Sequence, residues 1–228
     1  LINIEEFETK MDHYYNPKNL PINYKTAIFA SRACPLACNF CDMFLVMGKK
    51  HRKRSVKHIV DEIELLHKEH GVNYFSFMDD NLTLNRNHIL SLCDEIINRK
   101  LNIMFDTPNG LWVNSIREEI IAKMVEAGLV KVTLAIEHGS DYIRNKVIGK
   151  NLERKKIIEV ANILRKFNVV TVAGFIMGFP EETHKTLKDT YDLMDEIKVH
   201  KSTINTLIPF PGTKLFNQVL KDKDNLLI

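Results

Sequence analysis

Three cysteines, Cys34, Cys38 and Cys41, fall within eight positions, in the stretch Ser31-Arg32-Ala33-Cys34-Pro35-Leu36-Ala37-Cys38-Asn39-Phe40-Cys41. Thiolates are soft ligands that suit iron–sulfur clusters. Three of them on one short loop reach three corners of a small inorganic cube, and a closed cluster takes four. The remaining cysteine, Cys93, lies on the apolar face of a predicted helix, where free cysteine packs as a small hydrophobe. Three protein ligands leave one iron open, and an open metal position is where a substrate binds. The residues also leave a zinc site or three unconnected buried thiols as alternatives. Zinc, however, usually pairs C-x2-C with a distant second pair, which this chain lacks.

The elements that must position this loop alternate β-rich runs with amphipathic ones. The β-like runs are 26–31, 74–78, 102–106, 131–136, 169–177 and 202–207. Between them, apolar residues recur at helical spacing. The first set is Val56, Ile59, Val60, Ile63 and Leu66, followed by Ile89, Leu92, Cys93, Ile96 and Ile97. Ile116, Ile120, Met124 and Val125 form the next stripe, then Ile157, Val160, Ala161 and Leu164, and last Leu187, Tyr191, Met194 and Ile197. Ser55, Asn87 and Thr183 are expected N-caps, Ser115 with Glu118 has capping-box spacing, and Gly128 follows the third helix as a left-handed cap would. The strands are nearly continuous in apolar residues, as in parallel sheets covered on both faces. The expected fold is α/β, an open, partial (β/α)6 TIM-like barrel of parallel strands, with a doubly wound sheet as the alternative.

In such barrels chemistry sits at the C-terminal strand ends, and polar or glycine-rich residues recur there. Asp79-Asp80-Asn81 follows the second strand, Asp106-Thr107-Pro108-Asn109-Gly110 the third, and Glu137-His138-Gly139-Ser140 the fourth. The fifth ends in Gly174-Phe175-Ile176-Met177-Gly178-Phe179-Pro180-Glu181 and the sixth runs into Pro209-Phe210-Pro211-Gly212. Asp79 and Asp80 could hold an amine by charge-assisted hydrogen bonds, or cap the next helix with Asn81. A carboxylate such as Glu137 directly after an apolar strand is costly unless paired or hydrogen-bonded. His138 reads as a proton donor or, more simply, as a satisfied structural histidine. The run Lys49-Lys50-His51-Arg52-Lys53-Arg54 is a solvated face, a contact for an anionic substrate or an RNA backbone, or an offset to the charge of a cluster.

C-x3-C-x2-C with Phe40 before the last cysteine resembles the signature of the radical S-adenosylmethionine superfamily, and the G-x-I-x-G-x-x-E pattern from Gly174 resembles that family's fifth-strand motif. The resemblance covers residues 26–216. It implies a [4Fe-4S] cluster on Cys34, Cys38 and Cys41, with S-adenosylmethionine on the open iron. It also implies one-electron cleavage of its sulfur–carbon bond to a 5′-deoxyadenosyl radical that takes hydrogen from a substrate. The cofactor contacts it implies are Phe40, Asp79, Asp80, Asn81, Asn109, Glu137, Gly174, Ile176, Gly178 and Phe210. Phe77-Met78-Asp79-Asp80-Asn81, Pro108-Asn109-Gly110-Leu111-Trp112-Val113 and Pro209-Phe210-Pro211-Gly212-Thr213 look closest to the cobalamin-binding branch, many of whose members are methyltransferases. Cobalamin would then come from a domain outside this chain. The tRNA methylthiotransferases are similar but carry a second three-cysteine cluster, and a non-enzymatic electron-transfer protein would not need the strand-end motifs. Ala33 stands where the family often has glycine, tolerable unless the backbone there needs a positive φ.

Composition sets the remaining bounds. The 228 residues, 45% hydrophobic and 27% charged, suffice for one large α/β domain. A net charge of +3 does not argue for nucleic acid, which is not the expected partner, and no apolar run approaches a membrane span. Few, clustered cysteines and no secretory leader fit a cytoplasmic protein. Expected partners are a small-molecule or metabolite substrate and a one-electron donor such as flavodoxin or ferredoxin. Residues 1–25 read as a lead-in or linker, 26–216 as the core domain and 217–228 as a truncated C-terminal tail. The chain is therefore expected to be one domain of a longer protein.

Overall fold

A computed structural model describes residues 21–221. Most of the expected lead-in, with Tyr14 and Tyr15, and the end of the expected tail lie outside the described residues. Six parallel strands form one sheet: β1 (Tyr24–Ile28), β4 (Val72–Phe77), β5 (Met104–Leu111), β6 (Leu129–Glu137), β7 (Val170–Met177) and β8 (Lys201–Thr206). They lie side by side in chain order, so every crossover steps the same way around an arc. A doubly wound sheet would reverse that order; this is the open (β/α)6 arrangement. Two short strands, β2 (Ser31–Arg32) and β3 (Arg52–Lys53), pair antiparallel beside it.

The helices are α1 (Met43–Val46), α2 (Val56–His70), α3 (Arg86–Asn98), α4 (Glu118–Glu126), α5 (Arg154–Lys166), α6 (His184–Ile197) and α7 (Lys214–Lys221). From α2 to α6 each packs on the next around the outside of the arc. The main core lies between them and the outer strand faces. Phe75 and Phe77 of β4, Phe105 of β5, Val132, Leu134 and Ile136 of β6, and Ala173 and Phe175 of β7 meet the helical stripes there. Alternate residues of β6 and β7, such as Thr133, Ala135, Val172 and Gly174, face the interior of the arc and are less covered.

The helix ends explain where the strands are aimed. Ser55 caps α2 by accepting from the His58 N–H at 3.3 Å, and Thr183 closes a capping box on α6. Two expectations are corrected. Asn85, rather than Asn87, caps α3, because its side chain is the one that reaches the His88 N–H, at 2.9 Å. Ser115 forms no box with Glu118: it sits in a short 3-10 turn, and its hydroxyl is used on the Trp112 carbonyl and on Thr83. On α6 the buried face is Thr190, Leu193 and Ile197, while Tyr191 is exposed. Gly128 has a φ of +111°, and a Cβ there would lie 2.2 Å from the Ile103 carbonyl oxygen, so only glycine lets α4 turn into β6.

Candidate active site

The cysteine loop leaves β2 and is held from below by the second strand end. Asp79 is buried, and its two carboxylate oxygens accept from the Ala30 N–H (3.0 Å), the Ser31 N–H (2.5 Å) and the Ser31 hydroxyl (2.5 Å). Asp80 accepts from the Ala33 N–H at 2.8 Å. Three backbone N–H groups leading into the loop, those of Ala30, Ser31 and Ala33, thus hang from two adjacent acids. Asn81 is buried as well, and its side-chain Nδ2 has no partner. The helix-cap alternative for this trio fails, because α3 begins beyond it. Of the three residues expected at an amine, Asp79 has both oxygens engaged by the cysteine-loop stem and Asn81 is buried, while Asp80 is half-buried. Ala33 has a φ of +76° and Ala37 of +48°. The turn that presents Cys34 therefore needs a left-handed backbone where this chain has alanine.

A second clamp comes from the segment after β6. Asn39, between Cys38 and Cys41, donates its backbone N–H to Ile148 O (2.9 Å) and its side-chain amide to Val147 O (2.7 Å). Its own carbonyl accepts from Leu215 N at the start of α7 (3.1 Å). One asparagine joins three parts of the fold. The segment it grips leaves a π-helical turn, Ile143–Val147, whose fully buried Arg144 donates to the carbonyls of His138, Gly139 and Leu152 and pairs with Asp141. Such turns frequently mark functional sites.

Directly beyond that turn lies Lys150, which sequence reasoning missed. It is buried, and its Nζ donates to Glu137 Oε1 at 2.6 Å. Glu137 itself has a φ of +73° and interrupts the β6–β7 register, which turns its side chain off the strand. This is the partner that a carboxylate at the end of an apolar strand requires; the cost of burying Glu137 was the available signal. The pair lies close enough to the thiols to affect them electrostatically. Burial pushes the Cys38 thiol up to about 11, and Lys150 opposes that shift while Glu137 and the other two thiols add to it. Cys34 and Cys41 are raised as well, each first by burial. A cluster held on these three thiols would have to expel a proton from each.

The apolar surround is a small cluster separate from the main core. Cys38, Ile143, Ile148 and Phe179 form it, with Leu36, Phe40, Cys41, Val147, Ile176 and Leu207 packed against them. Phe40 and Phe179 meet edge to face at 6.1 Å. So the structure brings Phe40 and Ile176 to the cysteines. Gly174, on the interior face of β7, is different from Gly128: a Cβ there would touch only Leu134 O, at 3.6 Å. Nothing in the protein demands glycine at that point, and its hydrogen leaves room on the interior face. Gly178 has a φ of +102°, and its N–H donates to Glu182 Oε2 at 2.8 Å.

Glu182, not the motif's Glu181, is the acid that works inside the fold. Glu181 is exposed and accepts from the Tyr142 hydroxyl at 2.6 Å. Glu182 Oε1 lies 3.2 Å from Nε2 of fully buried His138, in poor alignment for a hydrogen bond. His138 Nδ1 accepts from the Ser140 N–H at 3.0 Å, which assigns the ring proton to Nε2. Burial holds this imidazole below the usual histidine range, with Glu182 opposing. Beside it, Gly139 allows α6 to approach, since a Cβ would lie 2.3 Å from Thr190 Cα. Asn109, expected in a loop, lies within β5 and donates to Met78 O at 2.8 Å. Phe210 is exposed on the rim beyond β8, where its carbonyl accepts from Thr213. Cys93 is buried in the main core, away from the other three.

The family profile described as the Radical SAM superfamily matches residues 28–194. The chain belongs to the radical SAM superfamily. An uncharacterized methyltransferase of Pyrococcus horikoshii is 30% identical over 201 residues, covering 88% of this radical SAM chain and 43% of the relative. The anaerobic magnesium-protoporphyrin IX monomethyl ester cyclase of Rubrivivax gelatinosus is 31% identical over 207 residues, covering 90% and 36%. Among solved structures, the radical S-adenosylmethionine methyltransferase TsrM of Kitasatospora setae superposes with a TM-score of 0.80 at 18% identity, over 87% of this chain and 39% of its own. The fold is the same partial barrel. The chain thus spans between 36% and 43% of these proteins' length.

Radical SAM enzymes use a [4Fe-4S] cluster and S-adenosylmethionine, and the residues present fit both. The donor set is three thiols on one loop with the fourth cysteine in the core, and Gly174 leaves a cradle that a Cβ would fill. Among the described residues, no three His, Cys, Asp or Glu side chains converge as on a single ion. A tetrahedral zinc needs such convergence; a cube taking one thiolate per iron does not. No described helix is long and apolar enough to cross a membrane.

Proposed function

We propose that Cys34, Cys38 and Cys41 hold the cluster, and that S-adenosylmethionine lies across the strand ends between Glu137, Gly174, Ile176, Gly178 and Phe40. When bound, the cluster supplies the electron that breaks the sulfur–carbon bond of S-adenosylmethionine, and the radical released takes hydrogen from a small-molecule substrate in the arc. The observation that carries the reading is the convergence of the cysteine loop, Phe40 and Ile176 in one apolar cluster near a mostly covered carboxylate paired with a buried lysine. Glu137 has one oxygen on Lys150 and turns the other to ribose hydroxyls. Lys150 holds that carboxylate in place. Asp79 acts as a positioning residue by fixing the loop, Asp80 faces the amino group, and Phe210 and Asn109 border the mouth. Apolar Phe40, Ile176 and Phe179 exclude water from the place where the radical forms.

Methyl transfer to carbon, with cobalamin from a domain outside this chain, is the favoured outcome, supported by relatives named methyltransferases. Relatives named cyclases match as well, so the outcome turns on product analysis. The test is anaerobic reconstitution with iron and sulfide, then dithionite and S-adenosylmethionine. Wild type should carry close to four irons per chain and release 5′-deoxyadenosine, by the chemistry of a cluster held on three thiolates. Cys38→Ala should lose the iron while keeping its far-ultraviolet circular dichroism. Iron retained in that variant defeats the ligand assignment.

A further inference from the structure

The basic run left open by the sequence is built onto the cysteine loop. β3 pairs with β2, Arg52 opposite Arg32 and Lys53 opposite Ser31, two to three residues before Cys34. α1 begins two residues after Cys41 and leads into Gly48, whose φ of +78° turns the chain back toward β3. Arg52 fixes that turn by donating to Met47 O at 2.9 Å and to Lys50 O. From residue 43 to residue 60 the chain holds no acid. Arg54 and Lys57 are neutralised by Glu62 and Asp61. Arg32, Lys49, Lys50, Arg52 and Lys53 are all exposed, and among the described residues none has a carboxylate within ion-pairing distance. Beside them, Leu45 and Val46 of α1 stand 50% and 66% exposed.

We propose that this face, β2, β3 and α1, is where an acidic one-electron carrier protein docks to reduce the cluster. The inference rests on the cluster assignment above. An apolar centre of two residues with a charged border has the anatomy of a transient protein interface. The uncompensated positive charge fits a partner of opposite sign and speeds its encounter. Its position suits such a partner, because β2 ends two residues before Cys34 and α1 begins two residues after Cys41, so the face flanks the cysteine loop on both sides in the chain. A nucleic-acid strand would require cations that continue along a track, but the next ones, Arg54 and Lys57, are already paired. In the step itself the reduced carrier loses one electron and the cluster passes from [4Fe-4S]2+ to [4Fe-4S]+. No bond forms or breaks.

The test compares the reconstituted wild type with the variant Lys49→Glu/Lys50→Glu/Lys53→Glu, which spares Arg52 and its turn. Stopped-flow bleaching of the cluster by a reduced acidic flavodoxin should slow at least ~10-fold in the variant, and wild-type rates should fall with added salt. Reduction by the methyl viologen radical cation should not slow, since that reductant carries the opposite charge. Flavodoxin rates that are equal in the two forms and insensitive to salt overturn the proposal. So does single-stranded RNA that binds wild type and not the variant while flavodoxin reduction is unchanged, which would make the face an RNA contact. Iron content and dithionite-driven 5′-deoxyadenosine in both forms report separately on the cluster assignment, so its failure would be visible on its own.

Discussion

At the scale of single residues, the site is built from groups whose partners decide their meaning. Alanine in the left-handed region costs roughly 1 kcal/mol that glycine would not. Ala33→Gly should therefore raise the urea midpoint, by up to about 1 kcal/mol in stability, and leave iron content unchanged. In the Glu137–Lys150 pair the lysine is buried and the glutamate mostly covered, with side chains 5% and 13% exposed, and removing one partner strands the other. Lys150→Met should cost roughly 3 kcal/mol in urea unfolding, and adding Glu137→Gln should recover most of it. The double variant should nonetheless bind S-adenosylmethionine poorly by equilibrium dialysis, which separates stability from recognition. His138 supplies a pH dependence. Its folded-state pKa lies below the usual value because burial disfavours the cation, so the unfolded chain takes the proton first. Stability should be whole above about pH 6.5 and fall as pH drops below it, by no more than about 1.4 kcal/mol per unit. His138→Asn should flatten the slope between pH 7 and pH 5, measured on the apoprotein by urea titration.

At the scale of elements, β4, β6 and β7 were legible as apolar runs bounded by polar or glycine-rich residues. The expectation of nearly continuous apolar strands is corrected at the sheet edges, where β1 (YKTAI) and β8 (KSTINT) are largely polar and little covered. Strand ends were less legible. β5 runs on to Leu111 because Pro108, Asn109 and Gly110 continue it through a break in register with β6, and three turn-forming residues in a row conceal that. The cap at Asn85 was missed because Asn87 has the same capping chemistry, and α4 starts after Arg117, whose side chain makes no cap hydrogen bond and so leaves no capping signal. Contacts between elements far apart in sequence left no local trace. Asn39 is such a case: nothing in its neighbourhood announces bonds to Val147, Ile148 and Leu215. Asn39→Ala removes only the side-chain bond, so it should cost about 1 kcal/mol. Its larger effect should be on the cluster loop, seen as faster loss of the cluster absorbance when a chelator is added.

For the whole molecule, the division of labour between two apolar clusters separates folding from function. The main core under the helices contains Cys93 and none of the loop cysteines, while the small cluster around Phe179 contains Cys38. The sequence carried this division only in part: the helical stripe marked Cys93 as core, but no pattern showed that Phe40, Ile176 and Phe179 pack together. A ligand that binds only the folded state adds stability as its free concentration exceeds its dissociation constant, by about 2.7 kcal/mol at a hundredfold excess. Reconstitution should therefore raise the melting temperature of wild type, and S-adenosylmethionine should raise it further. Cys93→Ala should lower the apoprotein's melting temperature, since it opens space in the main core, yet keep both increments. Cys38→Ala should do the reverse, melting near the wild-type apoprotein and gaining nothing from iron and sulfide. Differential scanning calorimetry of the three proteins, before and after reconstitution, reads all of these shifts. If Cys93→Ala also lost the iron-dependent increment, the two clusters would not be independent, and the core cysteine would have to be counted among the groups that hold the site.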